Sequence, residues 1–300
     1  MPIPQKILNI ELREALDPVG LAQSDLARAH IVPHWSAIQR DLEILRREAD
    51  AVLIPQISQA GGPKTGGHSG YPHGYCKPIR DFTLQRLLTP RSADADRPAF
   101  SAIRQFQAAG GVVKGIWGIQ KDRYFQNAIQ VGNLWFDLAN DTVDVTRPPV
   151  ELLPLTEAQF SEITSFEHYA TVAETYWSLT AAPNRYLPEL AATFPVLLFA
   201  SNGQIRIAAP VTMTPRNIRQ TYQPARSFLL DGPFAGRKLP DTIAESLAKS
   251  NRVSAEPMTS FALDHAISVE RDAAETLTES AFLTRFNTLV QKASRFMAPE

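Results

Sequence analysis

Between Val112 and Asp141 the chain runs VVKGIWGI, YFQNAIQVG and LWFDLAND, three short stretches rich in β-branched and aromatic residues, with Gly132-Asn133 at the junction of the last two. Such side chains suit a pleated, half-buried surface, and a Gly-Asn pair between apolar runs marks a tight turn, so this part of the chain is predicted to fold as antiparallel strands. The spacing on either side is different. Leu26, Ile31, Trp35, Ile38, Leu42 and Leu45 recur at helical period, with Pro33 as the break between a short helix and a longer one. Ile79, Phe82, Leu84, Leu87 and Leu88 define a second amphipathic helix, with Pro78 in its first turn, and Phe100 to Ala109 a third that closes at Gly110 and Gly111. AVLIPQIS, Ala51 to Ser58, reads as a short strand or buried extended segment.

Further along, TEAQFSEITSFEHYATVAETYWSL reads as a helix opened by a Thr156 cap. FPVLLFA and QIRIAAPV flank Ser201-Asn202-Gly203 as a second hairpin, and DTIAESLAKS and ESAFLTRFNTLVQKASRF are helical. The pattern predicts an α+β protein, with helices packed around a small, mostly antiparallel sheet. Three regions follow: a helical segment over 1–58, a core over 59–155, and an α+β portion over 156–300 that packs with the core as one unit.

Charge and composition narrow the function classes. The 300 residues carry a formal charge of −1, so no net field draws the protein to nucleic acid or an anionic bilayer, and neither is expected as a partner. The N-terminal MPIPQKILNIELREAL lacks the apolar run of a signal peptide, and no later run approaches the ~20 apolar residues of a membrane span. A cytoplasmic protein is expected. One cysteine cannot form an internal disulfide, which agrees with a reducing compartment.

That cysteine ends the most unusual stretch of the chain, GGPKTGGHSGYPHGYCKPIRDFTLQRLL from Gly61 to Leu88. A thiol is a nucleophile only as thiolate, and the positive end of a helix lowers its pKa. Cys76 stands where the second amphipathic helix should begin. The glycines before it let a substrate backbone approach closely, with Gly74 and Tyr75 expected to bind substrate, and free N–H groups near the turn would hold a developing oxyanion. These are the parts of an acyl-transfer site.

GYC at Gly74 to Cys76 before a helix, followed by NAIQVGNLWFDLAND from Asn127 to Asp141, resembles the order of motifs in the papain-like and transglutaminase-like cysteine enzymes. In that superfamily a strand opening with the catalytic histidine is followed by one ending at the catalytic aspartate. The resemblance spans residues 70–145 and implies Cys76 as nucleophile and Asp137 or Asp141 as the acid. The strand that should open with histidine opens with Asn127, which cannot act as a base. His73 or His168 would then fill that role, with Asn127 or Gln126 as an orienting or oxyanion amide. Alternate strand residues share a face, so Asn127 and Gln130 are expected beside a pocket with Asp137, suited to a polar substrate. The substrate would be a small molecule or an acyl or peptide group, an amide or a thioester, and no cofactor is required.

Two further readings use the same residues. His68, His73 and Cys76 form H-x4-H-x2-C, which would offer two imidazoles and a thiolate to Zn²⁺ or a similar metal. GGPKTGG, with Lys64 and Thr65, echoes a phosphate loop but lacks the Gly-Lys-Ser/Thr ending. A non-enzymatic ligand- or partner-binding protein, with Cys76 structural, is the alternative class.

Overall fold

A computed structural model describes residues 15–17, 19–59, 70–208, 212–251 and 254–294. The chain divides into two compact units with the boundary between Glu162 and Ile163.

In the first unit, α1 (Leu21–His30) and α2 (Trp35–Gln59) are joined by a 3-10 turn at Val32–His34, where Pro33 interrupts the helical hydrogen bonding. Helices α3 (Cys76–Leu88) and α4 (Pro98–Ala108) follow, and α4 opens on Pro98, which costs nothing at a helix start. Then comes a five-stranded sheet of β1 (Val113–Gln120), β2 (Tyr124–Val131), β3 (Leu134–Asp137), β4 (Glu151–Pro154) and β5 (Phe160–Ser161). Its order is β4-β3-β2-β1-β5, and every neighbouring pair is antiparallel. The expected hairpin is present: Val131 pairs with Leu134, and Gly132 takes a positive φ of 59° that suits glycine.

The sheet buries both faces. On one, Ile129, Val131, Leu134 and Phe136 pack against Ile38, Leu42 and Leu45 of α2, Ile79 of α3 and Phe100, Ile103 and Phe106 of α4. On the other, Ile116, Ala128 and Trp135 pack with Leu153, Leu155, Ala158 and Phe160. A strand alternates its side chains, so the two clusters draw on neighbouring residues of the same strands, such as Ala128 and Ile129.

The second unit holds α5 (Phe166–Trp177), a three-stranded antiparallel sheet of β6 (Thr180–Pro183), β7 (Val196–Phe199) and β8 (Ile205–Ala208), and, after several short turns of helix, α6 (Asp241–Asn251), α7 (Ser260–Thr276) and α8 (Glu279–Ser294). The β7–β8 hairpin turns at Ser201-Asn202-Gly203 as expected. Leu187, Leu190, Phe194, Leu197, Ile207, Leu239, Ile243, Leu247 and Leu289 form its core. The fold is α+β. Among the described residues no helix is long and apolar enough to cross a membrane.

Two expectations are corrected. AVLIPQIS is not extended; it forms the last turns of α2, with Pro55 inside the helix. Val52 and Ile54, the residues that suggested a buried strand, are exposed. Extending an existing helix adds a hydrogen bond per residue, whereas a strand here would need a ladder to join. The helix expected from Thr156 begins ten residues later at Phe166, where the Ser165 hydroxyl accepts the His168 N–H at 3.1 Å. The intervening TEAQFSE makes a turn and the edge strand β5, because the Phe160 ring packs at a tilt against Trp135, 4.8 Å between centroids, and its backbone pairs with Gln120.

Gly118 makes that edge possible. A Cβ there would stand 2.4 Å from the Ser161 carbonyl oxygen and 2.5 Å from the Phe160 ring. Gly118→Ala is therefore expected to destabilise the first unit by about 1–3 kcal/mol. Urea unfolding followed by tryptophan fluorescence measures the loss, and an unchanged midpoint would show that β5 is not held by this contact.

Candidate functional site

The site starts from a tight turn. Residues 70–75 fold back through His73 N–H to Gly70 O at 3.2 Å and Tyr75 N–H to Pro72 O at 3.1 Å, with Gly74 at φ 76°. Tyr75 is the residue before α3, and Cys76 is the first in it. Gly74 is exposed and Tyr75 half-buried, its ring 5.6 Å from that of Tyr71.

Helix α3 lies on β1 and β2. Ile79 is fully buried in the core, and Arg80, one turn after Cys76, crosses over Gly115 with Nη1 donating to Ile116 O at 3.3 Å. That seat brings Cys76 to Asn127 on β2, whose Nδ2 donates to Sγ at 3.3 Å. Ladder pairing between β2 and β3 ends at Ile129–Phe136, which leaves Asn127 beyond it. The backbone N–H groups of Asn127 and Lys77 also act on the sulfur, and with the Asn127 side chain they favour its charged form. Burial acts against them and is the larger influence, so the Cys76 thiol is pushed up from its ordinary value. The sulfur at rest is a thiol. Asn127 Oδ1 is buried with no hydrogen-bond partner among the described residues.

The other expected residues take separate places. Gln126 and Gln130 project from the opposite face of β2 to Asn127. Residues three apart cannot share a face when the strand repeat is two, so the expectation that Asn127 and Gln130 lie together beside one pocket is wrong. Gln130 instead anchors a distant segment: its Nε2 donates to Asp17 O and Gly132 O, both at 3.0 Å, and its Oε1 accepts Asp17 N–H at 2.9 Å. Gln126 Nε2 donates to Asp137 Oδ2 at 2.6 Å and to Ala139 O at 3.1 Å. Asp137 Oδ1 accepts the Ala139 N–H at 2.7 Å. Asp137 is fully buried, and burial pushes its carboxyl up to about 7 despite these bonds, with a smaller contribution from the negative charges of Glu151 and Asp141.

Asp141 is held by Arg46 of α2, which reaches both of its oxygens, Nη1 to Oδ1 at 2.6 Å and Nη2 to Oδ2 at 3.0 Å. Arg46 also donates to Asp50 at 2.7 Å and to Leu138 O at 3.0 Å, and Tyr71 OH donates to Asp50. This network, which the sequence reasoning missed, ties the turn before Cys76 to α2 and to the chain after β3. Its signal was there: an Arg46/Asp50 pair four apart beside the apolar stripe of α2.

His73 is half-buried, with Nδ1 3.3 Å from Thr142 O. His168 lies in the first turn of α5, in the second unit. His68, Lys64 and Thr65 lie outside the described residues, and with them the glycine loop and part of the H-x4-H-x2-C pattern. Among the described residues no group of three His, Cys, Asp or Glu is placed to hold a metal ion. No protein-family model, curated protein or solved structure matches this chain.

Two measurements follow from the electrostatics. The rate of Cys76 alkylation by iodoacetamide in the folded protein should rise with a midpoint above the ~8.5 of an unperturbed thiol; a midpoint below it would mean the donors outweigh burial. For Asp137 the folded pKa lies above the unfolded one, so the folded protein binds the extra proton in between. Stability contributed by this group is present below the ordinary carboxylate range and is lost as pH rises through about 7. Asp137→Asn should therefore gain stability relative to wild type between pH 4 and pH 8, read as the difference in urea midpoints at the two values. A constant difference would show that Asp137 is ionised throughout.

Proposed function

We propose that Cys76 is the nucleophile of an acyl-transfer or amide-hydrolysis site acting on an amide or thioester. The observation that carries this reading is the convergence of three N–H groups on one sulfur: the Asn127 side chain and the backbones of Asn127 and Lys77. A neutral thiol is a weak acceptor and gains little from such donors, whereas a thiolate gains from each. The position of Cys76 at the start of the 13-residue α3 adds the helix dipole in the same sense.

In this reading the thiol proton passes to His73, on the turn that ends at Cys76. The sulfur then attacks the substrate carbonyl carbon, forming a C–S bond. Collapse of the tetrahedral intermediate breaks the bond to the leaving amine or thiol, which takes the proton from His73. Water or an acceptor nucleophile then releases the acyl group from Cys76, giving hydrolysis or transfer. Burial that keeps the resting thiol protonated protects it until a substrate arrives. Asp141, committed to Arg46, holds the turn and takes no part in proton transfer.

A second reading is favoured by Asn127 standing where the resemblance calls for histidine and by the burial that raises the thiol: the same surface binds a ligand without reacting with it.

p-Nitrophenyl acetate separates the two. Wild type should release p-nitrophenol in a burst of one equivalent, with the acetyl group found on Cys76 by peptide mass spectrometry. Cys76→Ala should abolish the burst, and His73→Ala should slow it by about 10²–10⁴-fold. Acylation no faster than that of the same thiol in unfolded protein would leave ligand binding as the surviving reading.

A further inference from the structure

The Asn127 carboxamide, whose nitrogen lies on the sulfur, has a polar atom to spare among the described residues. Its nitrogen donates to Cys76 Sγ, while its oxygen is buried and has no partner among the described residues. Leaving a buried acceptor unpaired forfeits its hydration with nothing in return, so such a group needs an explanation. The side chain is otherwise well fixed: residue 127 sits within a strand paired on one side to Trp117 and is 5 % exposed. The nitrogen is 3.3 Å from Sγ, and the oxygen of the same planar carboxamide can be no more than the width of that group further away, close to where the atoms flanking an attacked carbonyl carbon must come.

We infer that Asn127 selects the acyl donor: its Oδ1 accepts the N–H on the scissile side of the substrate, so the site takes carboxamides in preference to esters and thioesters. This rests on the reading of Cys76 as nucleophile. An amide supplies the missing donor and satisfies Oδ1, whereas an ester or thioester brings another lone pair against it and leaves it unpaired. A site built to hydrogen-bond an N–H discriminates against the analogue lacking it far more strongly than an apolar pocket discriminates by size. The bond formed and the bond broken are those of the acyl transfer above. Asn127 transfers no proton; it holds the nitrogen in place while the leaving amine is protonated.

The test compares acetyl p-nitroanilide with p-nitrophenyl acetate on wild type, Asn127→Leu and Asn127→Ala, each checked for folding by circular dichroism. Both substitutions also remove the N–H on sulfur, which slows both substrates alike, so the ratio of kcat/KM values isolates the acceptor. The anilide should lose at least ~10-fold more than the ester on substitution. On wild type, N-methylation of the anilide should cause a loss of the same order, without altering the protein. A Cys76-dependent burst with the ester together with an unchanged ratio, or with no turnover of the anilide, overturns the inference and leaves the nucleophile standing. Absence of Cys76 acylation by either probe overturns both.

Discussion

The seat of α3 on β1 and β2 is the contact on which the rest of the first unit's site depends. Ile79 enters the core, Arg80 lies across Gly115, and these two contacts fix the helix along and around its axis. With these contacts made, the first residue of the helix stands over the middle of β2. Cys76 therefore meets Asn127 by construction, not through any local affinity between a thiol and an amide. Gly115 leaves room for the Arg80 side chain to lie across β1: a Cβ there would stand 3.0 Å from Arg80 Nε, so the guanidinium would have to shift by a few tenths of an ångström.

The turn that delivers Cys76 is held from a different direction. Arg46 lies among apolar neighbours on α2 and is satisfied by Asp50, Asp141 and the Leu138 carbonyl, while Tyr71 shares Asp50. A buried guanidinium is costly unless its donors are met, and here they are met by Asp50 on its own helix and by the 138–141 stretch after β3, so that stretch cannot move without stranding a charge. Asp141, a candidate acid by its place after the hairpin, has both of its oxygens engaged by Arg46.

Around the sulfur two influences oppose each other. Burial disfavours the thiolate; the amide donors and the start of α3 favour it, and burial is the larger of the two. Asp137 shows the same contest one strand away, fully buried on the opposite face with its bonds from Gln126 and Ala139 outweighed. Both groups thus rest closer to neutrality than their exposed counterparts. A chain that sets a thiol against one face of a sheet and buries a carboxyl on the other avoids uncompensated charge by keeping both close to neutral.

Local pattern was enough for much of this. Alternation and the Gly132-Asn133 turn determined the β2–β3 hairpin, the period of Ile38, Leu42 and Leu45 determined the buried stripe of α2, and the change from glycine-rich chain to amphipathic spacing placed Cys76 at a helix start. Each depends on neighbours a few residues away. Where the outcome turned on partners far along the chain, the sequence was silent or misleading. Val52 and Ile54 looked like a buried strand because composition does not say whether a ladder is available to receive one. TEAQFSE became an edge strand because Gly118 and Trp135, some 25–40 residues earlier, left room and an aromatic surface for Phe160. Asn127 came to Cys76, Gln126 to Asp137 and Arg46 to Asp141 by packing across separations of 51, 11 and 95 residues. Only the tertiary structure decided those pairings, because burial and hydrogen-bond satisfaction are properties of the assembled core and are not carried by any segment alone.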